Sequence, residues 1–273
     1  MATFLQNAGL WRSTLDKLDL KIAPIGLKYC TRPPAGLERL EHQMAFCEMI
    51  KYAQLGNAFF SRYDDHTCAA GPLVLGGPSA PGPFESGEFG ARLGAYEEPR
   101  AMRRRYDEAP MLAKGSIDSV AFAPLDALTF EPDLLVIFAD RTNQTSVLLR
   151  SLVYKTGEMY VSRSTFVIGC AWLYVYPYLT GEWNYVTTGM SMGMARRNLV
   201  PPGYQIITVP YDRLPTMLEN LQDMPWELPM LKEGWEFMAN TYADLGLTPE
   251  VAPFFLRDTP DAAAPAGELS EGA

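Results

Sequence analysis

The run Asp133 to Ala139 (DLLVIFA) constrains the fold most, because Pro132 and Asp133 introduce a short apolar segment and Thr142 to Lys155 follows it as an amphipathic stretch. An apolar run of that length bounded by turn residues predicts a strand. The following stretch predicts a helix that covers one sheet face. A strand feeding such a helix implies an α/β fold, a compact sheet with covering helices, with a mixed α+β arrangement as the alternative.

The rest of the chain supplies further elements. Helices are expected over residues 4–20, Leu37 to Leu55, Leu214 to Leu221 and Trp226 to Leu245, with a short exposed one inside Glu97 to Lys114. In the second of these, Leu40, Met44 and Cys47 recur at spacings of four and three, and Gly56 stops the run. Strands are expected at Ile22 to Tyr29, Ala58 to Tyr63, Ser119 to Ala123, Thr165 to Trp172, Asn184 to Thr188 and Tyr204 to Pro210. Gly76 to Gly94 is crowded with Gly and Pro and predicts a long loop, and Gly189 to Arg197 (GMSMGMARR) a flexible segment. The sequence predicts one domain over residues 1–256. Residues 257–273, rich in Ala, Pro, Gly and acids, predict a disordered tail.

A formal charge of −9 disfavours phosphate backbones and anionic lipid, so neither nucleic acid nor membrane is expected as a partner. The most apolar stretch, Thr165 to Leu179, holds Pro177 and is too short to span a bilayer. The N-terminal residues lack the pattern of a secretory signal, and four widely spaced cysteines need no disulfide framework in a chain of 273 residues. A cytoplasmic, reduced protein is the expectation.

Candidate chemistry centres on cysteine. Cys68 follows a β-like segment and an acidic turn, and it precedes Ala69-Ala70-Gly71. A helix starting at Ala69 would put free N–H groups beside the thiol and favour thiolate. His66, two residues away, is a candidate proton donor or ligand. Cys47 on a helix face and Cys170 in an apolar run each read, taken singly, as core residues, with a soft-ligand role as the alternative. Together Cys47, Cys68 and Cys170 could fill three corners of an iron–sulfur cubane, leaving one iron open, or part of a zinc site. Arg196 and Arg197 follow two glycines and are candidate ligand-binding cations. Arg103-Arg104-Arg105 is flanked by Glu97, Glu98, Asp107 and Glu108 and reads as a solvated, salt-bridged helix. No dinucleotide-binding, Walker A or nucleophile-elbow motif is present.

Several runs resemble the domain-of-unknown-function 169 family: C-x-M-I-K-Y-A-x-x-G from Cys47 to Gly56, H-T-C-A-A-G-P-L-V-L-G from His66 to Gly76, A-P-L-D from Ala123 to Asp126, P-D-L-L-V-I-F from Pro132 to Phe138, and G-C-A from Gly169 to Ala171. The resemblance covers most of residues 20–225. It implies an α/β fold and marks Cys47, Cys68 and Cys170 as the recurring cysteines. The family's members look common among anaerobic prokaryotes, and it carries no established general reaction. The resulting expectation is a thiolate-centred site, binding an iron–sulfur cluster or another metal through those three cysteines and acting on a small molecule, as a lyase or oxidoreductase if it is an enzyme. The alternatives are a non-enzymatic protein holding a small ligand or metal, and cysteines that are purely structural.

Overall fold

The computed structural model describes residues 3–77 and 82–247. Seven strands form one sheet: β1 (Ile25–Cys30), β2 (Glu38–Arg39), β3 (Phe59–Ser61), β4 (Ser119–Pro124), β5 (Leu134–Ala139), β6 (Asn184–Thr187) and β7 (Gln205–Pro210). Their order is β2-β3-β4-β1-β5-β7-β6. The pairings are antiparallel except β2 with β3. In the centre, Leu27 of β1 lies opposite Phe122 of β4 on one side and Leu134 of β5 on the other. Every residue of β4 and β5 is buried, as expected of central strands covered on both faces.

The covering helices in the first part of the chain are α1 (Ala8–Asp16), α2 (Phe46–Gln54), α3 (Ala70–Val74), α4 (Gly82–Glu85), α5 (Glu88–Arg92), α6 (Pro99–Glu108), α7 (Thr142–Val153), α8 (Tyr176–Thr180), α9 (Met192–Arg197) and α10 (Leu214–Asp223). Phe46, Met49, Ile50 and Ala53 of α2 join the core built on β1, β4 and β5. The helix α7 packs on β5. Its buried Gln144 ties the β5–α7 junction to the turn after α1: the side-chain oxygen accepts from the N–H groups of Asp140 and Arg141, and the side-chain nitrogen donates to the Leu18 carbonyl. At Gly26 a Cβ would lie 2.6 Å from a Leu128 methyl, so the loop after β4 can approach the sheet only over a glycine.

The chain divides into two compact units, Met1–Gln222 and Asp223–Ala273. The sequence expectation of one domain over residues 1–256 runs across both. In the second unit the described elements are α11 (Pro229–Lys232) and α12 (Gly234–Asp244), where one helix was expected; Gly234, at φ 69°, breaks the run. The expected tail over 257–273 lies outside the described residues. Among the described residues, no helix is long and apolar enough to cross a membrane.

Four expectations need correction. Residues 37–45 are not helical. Leu40, Met44 and Thr67 are held by backbone hydrogen bonds that cross the fold (Leu40 N to Phe60 O, Met44 N to Asp65 O, Thr67 N to Met44 O), and these override the helical spacing of the apolar residues. Residues 165–172 are not a strand. Helical structure begins at Gly169 and passes through a π-helical turn, Ala171–Val175, where the Tyr176 N–H donates to the Ala171 carbonyl five residues back. Pro177 sits in the first turn of α8, and its ring is incompatible with a regular i to i−4 ladder into the preceding turn, so the wider turn accommodates it. The Gly- and Pro-rich stretch 76–94 contains α4 and α5, and the expected flexible segment contains α9.

Candidate functional site

Five pieces of chain surround a cavity of about 320 Å³: the start of α2, residues Thr67 to Gly71, the α4–α6 region, the stretch from Val167 to Tyr174, and Ser191 to Arg197 including α9. Its walls are largely apolar. Phe84 and Phe89, stacked with centroids 4.3 Å apart, line it together with Met102, Val167, Ile168, Met192 and Met194. Met102, Tyr106, Val167 and Ile168 form a small core of their own beneath it. Met102 and Tyr106 are the buried positions of α6, one turn apart. The rest of that helix is solvated through the ion pairs Arg103–Asp107, Arg104–Glu108 and Arg105–Glu108, as its charge pattern predicts.

Backbone irregularity is concentrated here. Ile168 has φ of 50°, a conformation that a β-branched residue adopts only against strain. The helix α9 ends at Asn198, also at φ 50°, where asparagine tolerates the left-handed region well. A Cβ on Gly71 would come within 2.5 Å of His66 Nδ1, so this glycine lets the Thr67–Gly71 wall lie against the histidine.

Cys47, Cys68 and Cys170 all line this cavity, and Cys30 does not. Sharing a wall is not coordination. Among the described residues, no group of three or more His, Cys, Asp or Glu side chains is placed to hold a metal ion. The expectation of a thiolate-centred iron–sulfur or metal site on these three cysteines is therefore wrong. Burial raises the Cys47 thiol to about 11, and burial together with its neighbours Cys68 and Cys170 in turn raises Tyr106; burial also pushes the Cys170 thiol up, so Cys47 and Cys170 stay protonated at neutral pH. The helix expected after Cys68 begins at Ala70 and has only five residues.

His66 is not among the residues lining the cavity; it packs behind Gly71, with its ring centroid 5.9 Å from that of Phe46. Burial lowers its imidazole to about 4, against a smaller opposing effect of Asp65, and its Nδ1 has no hydrogen-bond partner among the described residues. It is neutral at physiological pH.

Arg196 and Arg197 are the two charged residues on the wall. Arg197 is 16% exposed; its Nε lies 3.5 Å from Glu48 Oε2, and its Nη1 donates to the Gly193 carbonyl at 3.1 Å. Arg196 is exposed and has no ion pair or hydrogen bond among the described residues. Tyr174, by contrast, is 1% exposed, and its hydroxyl has no partner among the described residues. The wall thus carries two cations, one of them exposed, and a buried tyrosine. Sequence reasoning missed Tyr106, Phe84 and Phe89. The one available signal was Met102 and Tyr106 at a four-residue spacing in a helix otherwise charged all round.

No solved structure matches the chain significantly. An uncharacterized protein of Methanocaldococcus jannaschii is 27% identical over 140 residues, which are 50% of this chain and 60% of that protein. The match spans somewhat more than half of that relative's length. Residues 15–220 match the DUF169 family, described as uncharacterised ArCR, and they take in the whole sheet and every wall of the cavity. The chain belongs to that family.

Proposed function

We propose that the cavity binds a small organic anion with an apolar body, its carboxylate or comparable oxyanion at Arg196 and Arg197. One observation carries this reading: the two charged groups on a largely apolar wall are guanidinium groups, and one of them, Arg196, has no partner among the described residues. Guanidinium is suited to planar oxyanions because it presents paired donors in a fixed fork. A volume of about 320 Å³ suits a ligand of modest size, and apolar walls with a few polar groups are the usual make-up of such sites. Cys47 and Cys170, held as neutral thiols by burial, behave as small apolar side chains in that wall. Four free cysteines support a reducing compartment, and we place the protein in the cytoplasm.

The test is calorimetric titration with octanoate, 4-phenylbutyrate and 3-indolepropionate, each paired with its primary amide. At least one carboxylate should bind ten-fold or more tightly than its amide, and Arg196→Gln should remove most of that difference. Carboxylates that bind no better than their amides, or a difference that survives in Arg196→Gln, would overturn the reading.

A further inference from the structure

We infer that the site selects singly charged anions over doubly charged ones, and that Glu48 sets this preference. The inference rests on the anion-binding reading above and specifies the charge of the ligand.

Glu48 does not line the cavity but stands directly behind it. Its carboxylate lies 3.5 Å from Arg197 Nε. It is also anchored from the other side, where the same oxygen accepts the Ala45 N–H at 2.6 Å. That bond satisfies one of the free donors at the start of α2, so Glu48 is fixed by the helix as well as by the arginine. It cannot swing away to leave Arg197 uncompensated without uncapping α2. Arg197 is in turn held by its bond to the Gly193 carbonyl.

The charge count follows. Arg197 and Glu48 cancel, and Arg196 contributes one unbalanced positive charge. Cys47, the thiol facing Arg197 and Glu48, adds no negative charge, because burial keeps it protonated. A ligand with one negative charge is matched. A second negative charge on the same end of the ligand would meet the Glu48 carboxylate across a partly buried wall, where charge interactions are screened less than in water. Specificity of this kind arises from a repulsive element as well as an attractive one.

Three probes share one hydrophobic body: 3-phenylpropionate with one charge, benzylmalonate with a second carboxylate on the same carbon, and the benzylmalonate monomethyl ester with that second charge removed. At pH 8 the wild type should bind 3-phenylpropionate and the monoester at least ten-fold more tightly than benzylmalonate. In Glu48→Gln the dianion should gain at least ten-fold, closing the gap. Glutamine still accepts the Ala45 N–H, so the thermal midpoint of this variant should stay close to that of the wild type. Benzylmalonate binding the wild type as tightly as its monoester would overturn the inference without any variant. So would a ratio unchanged in Glu48→Gln. A wild type that binds none of the three would instead sink the anion-binding reading, and the charge selection with it; that result is distinct from tight binding without charge selection.

Discussion

Along β4 and β5, twelve residues in two strands are buried without a break, and each pairs in a continuous ladder with its neighbours. The wall of the cavity is assembled differently. It draws on short helices, a π-helical turn, a strained isoleucine and a loop held by a glycine against a histidine. Phe122 and Phe89 show the contrast between single residues. Phe122 is fully buried, stacked on Phe59 at 5.0 Å and edge-on to Phe46 at 5.7 Å, whereas Phe89 is half-buried on the cavity wall. The sheet is a regular structure that carries the stability. The wall is built instead from irregular backbone, the setting in which binding residues are commonly placed on a rigid scaffold.

The largest effect that can break this contrast is a core truncation. Phe122→Ala should cost about 3–5 kcal/mol, and Phe89→Ala roughly 1 kcal/mol. Urea unfolding of the two variants measures both. Equal costs would mean that the wall is an extension of the core rather than a separate surface resting on it.

His66 sits at the border between the two regions, and it gives the contrast a pH axis. Its imidazole is lowered to about 4 in the folded chain by burial, from 6.5 when unfolded. Between those values the unfolded chain takes up a proton that the folded chain refuses. Stability from this group is therefore complete above pH 6.5 and falls as the pH drops towards 4, with a slope approaching about 1.4 kcal/mol per pH unit. The difference in stability between wild type and His66→Gln, followed from pH 7 to pH 4, should show that slope. A flat difference would place His66 in contact with solvent and detach it from the packing behind Gly71.

What the sequence made legible follows the same division. The strands at 119–124, 134–139 and 205–210 and the helix at 142–153 could be read within a residue or two, because each carries a continuous or periodic apolar pattern. The segment 37–45 misled because its apolar spacing matched a helix while its backbone bonds went to residues 60, 65 and 67, which local pattern cannot reveal. The cavity was legible in part. Cys47, Cys68, Cys170, Arg196 and Arg197 were singled out by type, yet type could not show whether three thiols on one wall are arranged to share a metal. Tyr174 lies in an apolar run, where an aromatic reads as core, and pattern alone does not show that its hydroxyl lacks a partner among the described residues.

Two buried tyrosines give the finest test of the contrast. Tyr29 belongs to β1, and its hydroxyl donates to the Tyr174 carbonyl at 2.9 Å. The Tyr174 hydroxyl has no partner at all among the described residues. A made hydrogen bond contributes about 1 kcal/mol net, whereas an unmade buried one carries a desolvation cost of about 1–3 kcal/mol. Tyr29→Phe should therefore destabilise by about 1 kcal/mol, since it removes the donor and leaves the carbonyl with one partner fewer. Tyr174→Phe deletes an unsatisfied group while keeping the ring packed edge-on against Phe46 at 5.0 Å, so it should leave stability unchanged or raise it by up to about 1 kcal/mol. Thermal and urea unfolding of the two variants decide the matter. If Tyr174→Phe destabilises as much as Tyr29→Phe, the Tyr174 hydroxyl is satisfied in solution, and this part of the cavity wall is as fully bonded as the sheet.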